Sequence, residues 1–282
     1  MPRGAVNLTD PVNRAHPLNR GLVSWWLGLP QWCGGLTWFD LMRVGDGVAT
    51  SQVSVVPASR PGGWACLRTT SKTDYVRVPS SRYVTAGSKT WCAWVRTSYT
   101  TAGQWVLIYN GASYETALAI GNLISFGAAN KPSFVVYTTG YHAAVGATTV
   151  TDGTGSNDGS WHHLAGVYDA AAATVKIYTD GVLDGSGSVT GSQGVETDYL
   201  FMGIESSGTS AVVTNGFVGS LDDVRVYSRA LAAGEVSALY RESLAGYPGC
   251  LRRVRAAAPK AAAAAFRPWL AAGRSLLGNG VA

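Results

Sequence analysis

The sequence predicts an all-β fold, on three observations: glycine-marked turns throughout the body, short alternating or β-rich runs between them, and few charged residues. Of 282 residues 35 are glycine, hydrophobic residues make up 46% and charged residues only 14%. That balance can bury a large core, which excludes disorder as the main state, and leaves few side chains to decorate helix surfaces. The length suits one large β domain with short extensions.

The turns come first. Asp46-Gly47, Asn110-Gly111, Asp152-Gly153, Asp158-Gly159, Asp180-Gly181, Asp184-Gly185 and Asn215-Gly216 each offer the positive φ that a tight hairpin needs. Between them run Tyr75–Val78, Thr90–Val95, Trp105–Tyr109, Phe134–Tyr137 and Thr174–Tyr178. The last alternates most clearly, with Val175 and Ile177 on one face and Lys176 on the other, the mark of a half-buried strand. One helix is predicted, over 232–243, where Val236, Leu239, Tyr240 and Leu244 recur at helical spacing. Residues 1–19 are polar, Pro-containing and aperiodic, and read as an arm. Residues 20–247 form the body, and 248–282 are an Ala/Arg-rich tail interrupted by Pro259.

Charge narrows the function. The whole chain carries +5, but residues 250–282 alone carry +6, so the body is one charge negative. A near-neutral body makes nucleic acid an unlikely partner and assigns the basic tail to solubility or docking. Its candidate anchoring residues are Arg252, Arg253, Arg255, Phe266, Arg267 and Trp269, the alternative being that the apolar ones fold back on the body. Cys33, Cys66, Cys92 and Cys250 form no C-x-x-C pair and have no His at zinc-site spacing, so they read as buried thiols. No run reaches the roughly 18 apolar residues of a membrane span, and the opening segment lacks a signal-peptide core. The expected origin is therefore the cytoplasm.

Three segments carry a family resemblance. Gly21–Trp26 is followed by Asp40-Leu41 and Gly45–Gly47. Asp158–Asp169 runs on into Val175–Gly181, and Gly216–Leu231 leads to Glu235 and the helix. Together they resemble the laminin G-like domain of the concanavalin A-like lectin/glucanase superfamily. The resemblance implies a two-sheet antiparallel jelly-roll sandwich with a short capping helix and N- and C-terminal extensions, its first and last strands side by side. In the Trp161–Leu164 strand, Trp161 and His163 share one face and His162 and Leu164 the other. Joint metal ligation by the two histidines is therefore poor. Asp222 and Asp223 are likewise expected to point oppositely, one toward a loop or Arg225 and the other to solvent.

Catalysis is not expected. Retaining glycosidases of this superfamily place two carboxyls on one strand as Glu-x-Asp-x-x-Glu, and the nearest run, Glu196-Thr197-Asp198, meets Phe201 where the second Glu belongs. Nucleophile-elbow, P-loop and dinucleotide fingerprints are absent. The resemblance leaves a Ca²⁺ ion as the one candidate cofactor, with Asp40, Asp46, Asp74 and Asp222 as oxygen ligands. Turn-capping is the competing use of each acid.

Residues Asn13–Trp26 also resemble laminin G-like proteins encoded in phage genomes. The expected function is a non-enzymatic virion component, a capsid decoration, head-fibre or tail-associated protein, anchored by its terminal arms. Its partners would be other virion proteins and copies of itself. The alternative is a carbohydrate-binding module at a cell surface. Sugars stack on aromatic faces, and Tyr99, Tyr114, Tyr141 and His142, placed in loops, are the candidate glycan contacts.

Overall fold

The computed structural model describes residues 12–28, 33–34, 36–50, 53–57, 65–78, 87–97, 105–110, 116–120, 131–148, 160–194, 199–207, 210–212 and 216–242. In chain order the strands are β1 (Leu22–Trp26), β2 (Cys33–Gly34), β3 (Thr37–Trp38), β4 (Gly47–Ala49), β5 (Ser54–Pro57), β6 (Ala65–Thr69), β7 (Val76–Val78), β8 (Lys89–Arg96), β9 (Trp105–Asn110) and β10 (Thr116–Ile120). They continue with β11 (Pro132–Tyr137), β12 (Tyr141–Val145), β13 (His162–Asp169), β14 (Thr174–Thr179), β15 (Val182–Ser188), β16 (Leu200–Met202), β17 (Glu205–Ser207), β18 (Ser210–Val212) and β19 (Gly219–Tyr227). Helix α1 (Ala233–Arg241) follows the last strand.

Two antiparallel sheets carry the fold. The eight-stranded sheet runs β15-β14-β13-β8-β19-β6-β5, with β1 also paired to β19. The nine-stranded sheet runs β12-β11-β10-β9-β16-β7-β4-β3-β2, and β17 and β18 make a separate hairpin. The β1–β19 pair joins Leu22 to Tyr227 and Trp26 to Val224, so the expected neighbourhood of first and last strands is met. Asp180 (φ 50) and Gly181 (φ 78) close the β14–β15 hairpin in two residues, the mirror-image turn that matches strand twist.

The main core fills the space between the sheets. Trp91, Ala93, Val95, Leu164, Tyr168, Val175, Ile177, Val224 and Val226 come from one side and Ile108, Leu118, Phe134, Val136, Leu200 and Met202 from the other. A second core covers the outer face of the eight-stranded sheet. There Cys92, Ala165, Val167, Tyr178 and Tyr227 meet Val12, Leu18, Leu22, Trp25 and Leu27 from the chain before and within β1, and Leu231, Val236 and Leu239 around α1. Residues 12–19 of the expected arm thus lie against the body, with one 3₁₀ turn at Pro17–Asn19. Burial on both faces explains why β8, β13 and β19 are buried over almost their whole length.

Three expectations need correction. Asp184-Gly185 is not a turn but part of β15. A Cβ on Gly185 would lie 2.1 Å from the Val145 carbonyl oxygen, so glycine serves here to let β15 press on the backbone of β12. Asp184 then fastens that corner, accepting from the Ala147 and Thr148 amides and from the hydroxyls of Thr148 and Thr179. Burial works to raise its carboxyl pKa, but these donors outweigh it and hold it below the ordinary value. Second, Tyr141 and His142 lie on β12 rather than in a loop, because Thr138–Gly140 already make the turn. Third, neither Asp222 nor Asp223 meets solvent.

The physical reason for the third is a register break. The β19–β8 ladder shifts between Asp222 and Arg225, and Asp223 sits at φ 52, which breaks strict alternation. Asp222 accepts from the amides of Gly28 and Asp223. Asp223 binds the Arg225 guanidinium at 2.8 Å and accepts from the Trp25 indole at 2.6 Å. The Trp25 ring lies over Arg225 at 4.0 Å.

Candidate functional site on the outer face of the nine-stranded sheet

Strand alternation divides the nine-stranded sheet into a core side and an outer side. Cross-strand pairing aligns Val48, Arg77, Phe201, Tyr109, Ala117, Val135 and Ala143 in one outward row, while Val76, Val78, Leu200, Met202, Leu118, Phe134, Val136 and Ala144 face the core. The middle of the row is buried. Its two ends open to solvent, and each carries an aromatic cluster.

At the β11–β12 end, Tyr137 pairs directly with Tyr141. Their rings meet edge to face, 5.0 Å between centroids at 71°, and Tyr141 is 47% exposed. His142 points the other way, its Nε2 3.0 Å from the Thr138 hydroxyl. Thr138 in turn donates to the Thr190 carbonyl. His142 therefore ties the hairpin to the segment after β15, and Tyr141 is the member of this predicted pair that presents a ring to solvent.

At the β7–β16 end, Tyr75 and Tyr199 flank Phe201 at centroid distances of 5.7 and 6.4 Å. The Arg77 guanidinium lies 5.0 Å over the Tyr199 ring. Arg77 and the neighbouring Val48 are exposed, and both tyrosines are half-buried. Tyr75, Arg77, Tyr137 and Tyr199 were not singled out from the sequence. The usable signal was period two: Tyr75-x-Arg77 and Tyr199-x-Phe201 each put an aromatic group and its neighbour on one face.

The other predicted residues divide between those placed and those outside the described residues. Tyr99, Tyr114 and all six tail residues, Arg252, Arg253, Arg255, Phe266, Arg267 and Trp269, lie outside, as do Glu196 and Asp198. Of the four acids proposed for Ca²⁺, Asp40 and Asp46 share one loop, and all four accept from backbone amides. Asp40 accepts from the amides of Trp25, Met42, Val44 and Gly45. Burial nevertheless raises its carboxyl pKa. Asp46 caps the Asp40 amide, Asp74 caps those of Thr70 and Ser71, and Asp222 serves Gly28 as described. Among the described residues no three His, Cys, Asp or Glu side chains form a metal-binding group.

The two histidines of β13 separate as alternation requires. His162 Nδ1 sits 2.9 Å from an Asp180 oxygen, while His163 is buried beside Trp94 at 5.6 Å, and Trp94 stacks on Tyr240 of α1. Cys92 is a buried thiol. Burial pushes its pKa up to about 12, which keeps it protonated and unreactive. The side chains of Cys33, Cys66 and Cys250 lie outside the described ones. Among the described residues no helix is long and apolar enough to cross a membrane.

Comparison with known proteins identifies the architecture. The chain superposes on the binding domain of Paraclostridial Mosquitocidal Protein 1 with a TM-score of 0.61 at 13% identity, over 80% of this chain and 53% of that one. The receptor binding domain of botulinum neurotoxin D gives 0.60 at 11% identity, over 80% and 54%, so the chain spans about half the length of these two. Domain 4 of AbnA, a GH43 extracellular arabinanase from Geobacillus stearothermophilus in complex with arabinotriose, gives 0.57 at 17% identity, over 78% of this chain and 98% of that domain. No curated protein matches the chain by sequence. The family model for the concanavalin A-like lectin/glucanases superfamily matches residues 70–237, more than half of the chain. With a two-sheet antiparallel sandwich of the kind that superfamily builds, the chain belongs to the concanavalin A-like lectin/glucanase superfamily as a laminin G-like domain.

Proposed function

We propose that this chain is a non-enzymatic carbohydrate-binding domain that takes glycans at the solvent-open ends of the outer face of its nine-stranded sheet. The observation carrying this reading is the pair of solvent-open aromatic clusters, Tyr137–Tyr141 and Tyr75–Arg77–Tyr199, at the two ends of one outward row. Flat apolar rings with polar edges suit sugar faces, which present C–H groups on one side and hydroxyls around the rim. The similar structures support it, since one is an arabinanase domain in complex with arabinotriose and two are toxin binding domains. The sequence lacks the strand-spaced carboxylate pair of the superfamily's glycosidases, which favours binding over hydrolysis.

The test is a glycan array with the full chain, followed by calorimetry on any ligand found. Tyr141→Ala and Tyr75→Ala should each weaken binding of a ligand held at their end about tenfold, the effect of removing one stacking platform, with circular dichroism unchanged. An array silent throughout would end this reading.

A second reading concerns where the domain works. Val12 and Leu18 share one cluster with Val236 and Leu239, so the segments flanking the sandwich leave from the same outer face of the eight-stranded sheet. That supports a virion component docked through both extensions, with the basic residues 250–282 as anchor. Mass spectrometry of purified particles should find the protein in stoichiometric amount, and a version lacking 250–282 should fold yet fail to attach. Unchanged occupancy would remove the anchor.

A further inference from the structure

Three described arginines have an anionic or carbonyl partner. Arg225 pairs with Asp223 and Arg229 with Glu235, and Arg241 donates to the Ser237 carbonyl. Arg77 differs. It is exposed, it projects from β7 onto the outer face of the nine-stranded sheet, and its described contact is the Tyr199 ring beneath it. No ion pair among the described residues includes it. The guanidinium N–H donors lie in one plane and form a fork that matches a carboxylate.

The surroundings favour a sugar carboxylate in particular. Tyr75 precedes Arg77 by two residues on the same strand face, roughly 7 Å along the strand, which is about the span of one pyranose ring with its exocyclic group. Val48 sits directly across from Arg77 and is 45% exposed, giving an apolar floor on the other side. A sugar ring stacked on Tyr75 would bring a carboxyl substituent to the guanidinium.

We infer that Arg77 is a specificity-determining residue that selects acidic glycans, those bearing a uronic-acid carboxylate, over their neutral counterparts. This rests on the carbohydrate-binding reading and deepens it. The carboxylate binds the fork of Arg77, which Tyr199 supports from beneath, while Tyr75 holds the ring, and the neutral sugar keeps only the stacking.

The experiment titrates the full chain with uronate oligosaccharides (galacturonan, hyaluronan and heparosan fragments), each beside its methyl ester, which removes the charge and keeps the ring. For at least one pair the acid form should bind about tenfold tighter than its ester at low salt, as a charge-assisted fork contact implies. The gap should narrow as salt rises, because an exposed charge is screened. Arg77→Gln should weaken the acid form about tenfold more than the ester and so close the gap between them, while Arg77→Lys should recover part of the preference. Equal binding of acid and ester, or equal weakening of both by Arg77→Gln, overturns the assignment to Arg77 while glycan binding stands. Silence of every acid, ester and neutral glycan overturns both readings together.

Discussion

The two outer faces of the sandwich are built from the same kind of strand and are put to opposite uses. On the eight-stranded sheet two buried acids are satisfied internally: Asp222 by backbone amides, and Asp223 by Arg225 and the Trp25 indole. The segment before β1 and helix α1 then cover them. On the nine-stranded sheet the ends of the outward row stay open, with tyrosines and an arginine facing solvent. Because β8, β13 and β19 are sealed on both sides, they form a rigid slab. The other sheet can expose aromatic groups without endangering the fold, which is the division of labour a binding domain needs.

The largest break in that comparison should come from the sealed face. Arg225 is 1% exposed and Asp223 3%. Burial alone would lower the arginine pKa, but the carboxylate beside it raises it, so the guanidinium stays charged. Replacing Asp223 with Ala strands a buried guanidinium and leaves the Trp25 N–H without its acceptor. The expected loss is about 3–5 kcal/mol, as for other buried pairs that lose one member. Urea unfolding measures it, and the double change Arg225→Met with Asp223→Leu should regain much of the loss. A single-variant loss below about 1 kcal/mol would mean the pair does not hold the cover in place.

Next in size is the corner where the two sheets meet. A Cβ at Gly185 would press on the backbone of β12, and backbone cannot swing aside, so Gly185→Ala should cost about 1–3 kcal/mol. Gly140, in the β11–β12 turn, has nothing within 4 Å of the same added atom. Gly140→Ala should therefore be close to neutral in the same unfolding assay, and equal losses at both sites would refute close approach as the reason for glycine.

These two sites also show what the sequence could convey. Local rules were readable: alternating or β-rich runs placed β7, β8, β9, β11 and β14, the family resemblance added β13 and β19, and Asp180-Gly181 announced its hairpin. Gly185 looked like the same signal but serves a partner some forty residues away, which no local pattern reveals. The register break at Asp222–Arg225 likewise cancels alternation just where two acids were expected to part. For the site, Tyr141 was readable as an aromatic group beside a turn. The Arg77–Tyr199 cluster was not, because register between β7 and β16, more than a hundred residues apart, sets it.

The smallest expected effect sharpens the contrast by placing the same chemistry in a wetter setting. Arg229 grips Glu235 with two hydrogen bonds of 2.7 and 2.6 Å and donates to the Arg20 carbonyl, so this pair fixes the start of α1 against the segment leading into β1. Glu235 also accepts from the Ala232 amide, half of a capping box. The Arg229 hydrogen bonds are the main reason its carboxyl pKa lies below the ordinary 4.5. A carboxylate with a lowered folded pKa stabilises the fold above its unfolded value, and that stabilisation is lost as pH falls through the folded pKa. Both side chains are about a quarter exposed or more, so solvent screening keeps the contribution to a few tenths of a kcal/mol, at most about 1. Glu235→Gln should therefore be less stable than the parent by that amount at pH 7, and the two should converge in urea titrations taken well below pH 4.5. A deficit that stays constant across that range would assign the role of Glu235 to packing rather than charge, leaving Arg225–Asp223 as the described carboxylate–guanidinium pair that fastens the covered face.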